Sequence, residues 1–102
     1  MDGEIFMKKA MVIRYNKKVD YKTIERDIEE LRESLLSWIY FENITDYYCR
    51  YEDDMNQAVI LVLFEVKDRF KHVKIHVNIP KKYDFNTYSY VISKCDTYKI
   101  VE

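Results

Sequence analysis

The side chains with chemistry to offer are few, and their spacing decides what they can do. His72 and His76 stand four apart, the separation at which two imidazoles on a helix share a zinc ion. They fall in an alternating segment, with Val73, Ile75, Val77 and Ile79 on one side and His72, Lys74, His76 and Asn78 on the other. Four residues of strand span about 13 Å, too far for one ion, so these read as surface histidines on a wet sheet face. Glu52, Asp53 and Asp54 lack the further carboxylates at fixed spacing that a hard cation needs, and read as the charged loop of a hairpin. Ser34, Ser37, Ser89 and Ser93 lie in helical segments with no histidine near in sequence, so no nucleophile is paired with a base. Cys49 and Cys95 lack Cys-x-x-Cys spacing and read as two separate thiols, with a disulfide as the alternative. The single glycine is Gly3. Phosphate loops, dinucleotide fingerprints and nucleophile elbows all need glycine where backbone meets ligand. The expectation is a chain that is not an enzyme, with no catalytic residue, metal or cofactor.

Binding chemistry is better represented. Between Lys8 and Lys18 the chain carries five bases and no acid, and between Lys67 and Lys82 six bases against Asp68, whereas Asp20 to Asp54 holds eleven acids and four bases. Two lysine pairs, Lys17 with Lys18 and Lys81 with Lys82, each precede a helix start, where an anion is welcome. Ten tyrosines in 102 residues are the other departure from average composition. Many suit a sheet core with a wet hydroxyl, and tyrosine is also a rigid contact residue of binding surfaces. Tyr47 and Tyr48 are consecutive on a strand, so they point to opposite faces and one of them meets solvent or a groove.

The elements that position these groups come from an internal repeat. KKVDYKTIERDIEEL, Lys17 to Leu31, aligns without gaps on KKYDFNTYSYVISKC, Lys81 to Cys95, with five of fifteen positions identical. Both copies spell a helix start, with Asp20 and Asp84 as N-caps. The first helix has an apolar stripe at Ile24, Ile28, Leu31, Leu35, Trp38 and Ile39, the second one at Tyr88, Val91, Ile92 and Cys95. Met11 to Tyr15, Asp46 to Tyr51, His72 to Ile79 and Thr97 to Val101 read as strands, and the apolar run Ala58 to Val66 as a strand buried on both faces. The resulting order is β-α-β-β-β-α-β, with a hairpin near Lys67 to Phe70. The expected fold is a single α+β domain, residues 1–102, built from two related β-α-β halves, 9–52 and 71–102. They share a mostly antiparallel sheet with two helices, a ferredoxin-like or split β-α-β arrangement.

Heavy use of Ile, Tyr, Lys and Glu, with one Gly, one Pro at Pro80 and one Gln at Gln57 in a short chain, resembles the small orphan proteins of filamentous viruses of hyperthermophilic archaea, the lipothrixviruses such as the Acidianus filamentous viruses. That resemblance implies expression in the host cytoplasm and a role among virus or host proteins, and carries over no site residues. The opening MDGEIFMKK has no signal-peptide core, and no apolar run approaches the ~20 residues of a membrane helix.

The functional expectation is a non-catalytic module that binds a protein or peptide in the groove, or at a sheet edge, between its halves. Tyr47, Tyr51 and Tyr98 would line the site, in a monomer or homodimer. The alternative is a nucleic-acid-binding protein using Lys17, Lys18, Lys81 and Lys82 with exposed tyrosines. A pI near 6.1 and the acidic first helix weigh against it.

Overall fold

The computed structural model describes residues 9–16 and 18–102. Strand and helix alternate throughout: β1 (Ala10–Ile13), α1 (Ile24–Phe41), β2 (Asp46–Arg50), α2 (Asp54–Arg69), β3 (Lys74–Pro80), α3 (Phe85–Lys94) and β4 (Thr97–Val101). The sheet has the order β1-β2-β3-β4 and every pair is parallel. This corrects the expected mostly antiparallel sheet with two helices: there are three helices among the described residues, and the ferredoxin-like arrangement does not form.

One segment accounts for the difference. Ala58 to Val66, expected as a buried strand, lies inside α2. As a strand it would have lain between β2 and β3 and paired antiparallel with both, whereas as a helix it crosses back to the starting end outside the sheet, so β3 pairs directly with β2 and parallel to it. The run is apolar almost throughout because α2 is the middle helix of three. It packs between α1, through the paired Arg32 and Glu65 at 2.7 and 3.1 Å, and α3, through Phe64 against Tyr90 at 6.0 Å, with the sheet beneath. Between its terminal residues Asp54 and Arg69, its exposed residues are Leu61, Glu65 and Asp68, the spacing of one helical face. Its start is capped by Asp53, whose carboxylate accepts the Asn56 N–H at 3.0 Å. The acidic triplet is therefore a helix start and not a hairpin loop.

The α1 stripe forms as expected, with Leu31, Leu35 and Ile39 buried and Ile28 and Trp38 partly so. The helix stops at Asn43, φ 56°, an asparagine in the left-handed position that glycine usually takes. The duplicated caps are only half realised. Asp84 is the N-cap of α3 but makes no side-chain bond to its backbone. Asp20 closes the turn before α1, accepting the Lys22 N–H at 2.9 Å, and the helix itself begins after Thr23. No helix among the described residues is long and apolar enough to cross a membrane.

Because strand order follows chain order and such crossovers are right-handed, all three helices fall on one side of the sheet. Met11, Ile13, Tyr47, Cys49, Ile75, Val77 and Ile79 face them and build the core. A fully buried side chain such as Ile75 contributes on the order of 2 kcal/mol. Ala10, Val12, Tyr48, Lys74, Asn78, Thr97 and Lys99, on the opposite face, are exposed.

Candidate functional site: the uncovered sheet face and its β4 edge

Parallel sheets almost always carry helices on both faces, so the face that no element among the described residues covers is where this fold departs from rule. Across it, register sets residues in rows. Val12, Tyr48, His76 and Thr97 form one row, and Arg50, Asn78 and Lys99 the next. Between Val12, Tyr48, Arg50 and Asn78 lies a hollow of about 260 Å³. Arg14 and Arg50 at its rim both reach Glu52, at 2.8 and 3.1 Å, so its cations are already engaged.

The centre of the face holds a connected polar chain. Asp46, only 1% exposed, accepts from the Thr45 hydroxyl on Oδ2 at 2.7 Å and meets His76 Nε2 on Oδ1 at 2.7 Å. The other ring nitrogen of His76, Nδ1, lies 2.7 Å from Thr97 Oγ1. A carboxylate can only accept, which puts the ring proton on Nε2 and leaves Nδ1 to accept the Thr97 O–H. Tyr48 stacks on the imidazole, centroids 4.4 Å apart and planes 20° from parallel.

Thr97 is set in place by its neighbour. The Asp96 carboxylate pairs with Lys67 of α2, lies 3.9 Å from Lys74 and accepts the Ile75 N–H at 2.8 Å. Burial alone would push this carboxyl up, but the hydrogen bonds from Lys67 and Ile75 and the charges of Lys67 and Lys74 outweigh it and hold Asp96 below its ordinary value. The turn entering β4 is thus fastened to both α2 and β3. Beyond it β4 is an edge strand, with Tyr98 50% and Ile100 44% exposed, and Lys99 makes no ion pair among the described residues.

The residues expected to bind a peptide are scattered by this fold. Tyr47 is 0% exposed, on the helix side of β2, and burial pushes its phenol up to about 12. Tyr51 is buried among Tyr83 and Tyr88, its hydroxyl 3.4 Å from the Thr87 carbonyl. Of the three, Tyr98 alone presents surface to a partner. The lysines expected to bind an anion are dispersed too. Lys17 lies outside the described residues, Lys18 is exposed, Lys81 pairs with Glu102 at 3.8 Å and Lys82 sits over the Tyr83 ring at 5.4 Å.

His72 is in the turn before β3, away from His76 on the bare face. Among the described residues no group of three or more His, Cys, Asp and Glu is placed to hold a metal ion. Both cysteines are free thiols, and burial, with Cys95 nearby, pushes Cys49 up to about 12.

The Asp46, His76 and Thr97 chain is what reading along the sequence missed. Its members lie 30 and 21 residues apart, and no local motif joins them. The order and register of β2, β3 and β4 bring them together. Comparison with protein-family models, with curated proteins and with solved structures finds no match, so function is argued from this geometry.

Proposed function

We propose that the chain is a protein-interaction module that receives an extended segment of a partner along β4, continuing the sheet by one strand. The observation that carries this is the β4 edge, which no strand among the described residues pairs, on a parallel sheet that the described helices cover on one face. An unpaired edge offers main-chain bonds, and the side chains beside it select the guest. Tyr98 and Ile100 project on the helix side, so the guest carries apolar residues at alternate positions. Lys99 projects on the open side with its charge unpaired among the described residues, so an acidic residue belongs opposite it. A second copy fits less well, because full twofold overlap of two β4 strands sets Lys99 against Lys99, and like charges directly opposite are destabilising. The setting is the one the sequence resemblance implies, among virus or host proteins in a host cytoplasm.

A titration of the full chain with a labelled pentapeptide of alternating valine and glutamate, followed by fluorescence anisotropy, tests the reading. Binding should weaken severalfold in Tyr98→Ala and at least tenfold in Lys99→Glu. Binding indifferent to both substitutions, a stable dimer that excludes the peptide, or salt-sensitive retention of an oligonucleotide in its place would overturn it.

A further inference from the structure

We propose that Thr97 is an acyl-accepting nucleophile, with His76 as its general base and Asp46 as the group that orients the imidazole. This stands apart from strand addition, since it concerns one hydroxyl on the open face and not the pairing edge. Three features go beyond what lacing strands together requires. The hydroxyl, imidazole and carboxylate are connected in sequence by two contacts of 2.7 Å, the arrangement that lets a base take a hydroxyl proton while a third group fixes its tautomer. The carboxylate is almost wholly buried and its second oxygen is occupied by the Thr45 hydroxyl. The ring is further fixed by the Tyr48 stack. The hydroxyl end of the relay, by contrast, is open to solvent.

The substrate class is an acyl group on a good leaving group, a thioester or an aryl ester. Thr97 Oγ attacks the carbonyl carbon as its proton passes to His76 Nδ1, and Asp46 stabilises the imidazolium through Nε2–H. Negative charge gathers on the carbonyl oxygen. Lys99, two residues along the same face and about 7 Å away along the strand, is a cation within side-chain reach of it. Collapse breaks the bond to the thiolate or phenolate, which leaves with the proton from Nδ1, and Thr97 retains the acyl group as an ester.

Incubating the full chain with p-nitrophenyl acetate at neutral pH, while following nitrophenolate release and mapping the acetyl group by peptide mass spectrometry, tests this. The expected result is one acetyl group on Thr97, lost in Thr97→Val and kept in Thr97→Ser. Its rate should fall on the order of 100-fold in His76→Gln, the scale of a lost general base. Circular dichroism melts of each variant establish that the fold persists, and Thr97→Val is a surface change that leaves Tyr98, Lys99 and Ile100 in place. Peptide capture and acetyl transfer therefore fail separately. Acetylation confined to lysines and the amino terminus, or a Thr97 rate unchanged in a folded His76→Gln, would overturn the proposal. Should His76→Gln unfold, an equal rate of Thr97 acetylation in Asp46→Asn and the parent, or acetylation absent from Thr97 in the parent, does the same.

Discussion

Tyr47 and Tyr48 stand side by side on β2 and live in different solvents. The alternation of a strand requires that, and the sequence pattern was sufficient to say that one of the pair is exposed. Which one could not be read locally, because it depends on the side on which the helices settle: Tyr48 is 40% exposed and Tyr47 is in the core. The Tyr47 hydroxyl has no hydrogen-bond partner among the described residues, and an unsatisfied buried hydroxyl costs about 1–3 kcal/mol. Tyr47→Phe should therefore be as stable as the parent in urea, or more stable by up to about 1 kcal/mol, and should leave peptide capture unchanged. A loss of binding would return Tyr47 to the site. Asp96 gives a prediction in acid. Its folded carboxyl titrates below its unfolded value of about 3.9, so the stability it contributes is present above that pH and is lost as pH falls through the folded value. In denaturant melts, Asp96→Asn should be less stable than the parent at neutral pH, and the difference should shrink below about pH 4. A difference constant with pH would mean that the Lys67 and Ile75 contacts do not govern the charge.

At the scale of elements, α1 was legible and α2 was not, for one physical reason. An outer helix shows a stripe, since half of it is wet, and α1 displays Leu31, Leu35 and Ile39 at that spacing. A middle helix is covered on three sides, and its apolar run imitates a doubly buried strand. Two local signs pointed the other way: the Asp53 cap and the length of the segment, sixteen residues. A pair of substitutions separates the two readings. On a strand Leu61 and Leu63 share a face, whereas on α2 Leu61 is 53% exposed and Leu63 is fully buried. Leu63→Ala should cost about 2–5 kcal/mol, and Leu61→Ala no more than about 0.5 kcal/mol, both by urea unfolding. Equal losses would contradict the helix. The relay across β2, β3 and β4 shares this origin, because an alignment of strands is settled only once the connection between them is known to be a helix.

For the whole molecule, the β-α-β stretches 9–52 and 71–102 each contain a strand, a helix and a strand, and α2 joins them into one sheet that grows by one strand at each crossover. Growth in that order has two consequences. No reversal of strand order occurs, so the crevice that doubly wound sheets open at such a reversal is not formed. The hollow at the carboxyl ends, between Arg14, Glu52, Lys82 and Tyr83, instead encloses about 390 Å³ of mixed charge. The second consequence is that among the described residues the sheet ends on β4 with its outer side unpaired, and the proposed function rests there. Hydrogen exchange of the backbone amides, followed by NMR with and without the alternating valine and glutamate peptide, tests that directly. New protection should be concentrated in Thr97 to Val101, with the amides of β1 and of the carboxyl-end loops unchanged. Protection appearing around Arg14, Glu52 and Tyr83 while β4 exchanges as before would contradict it.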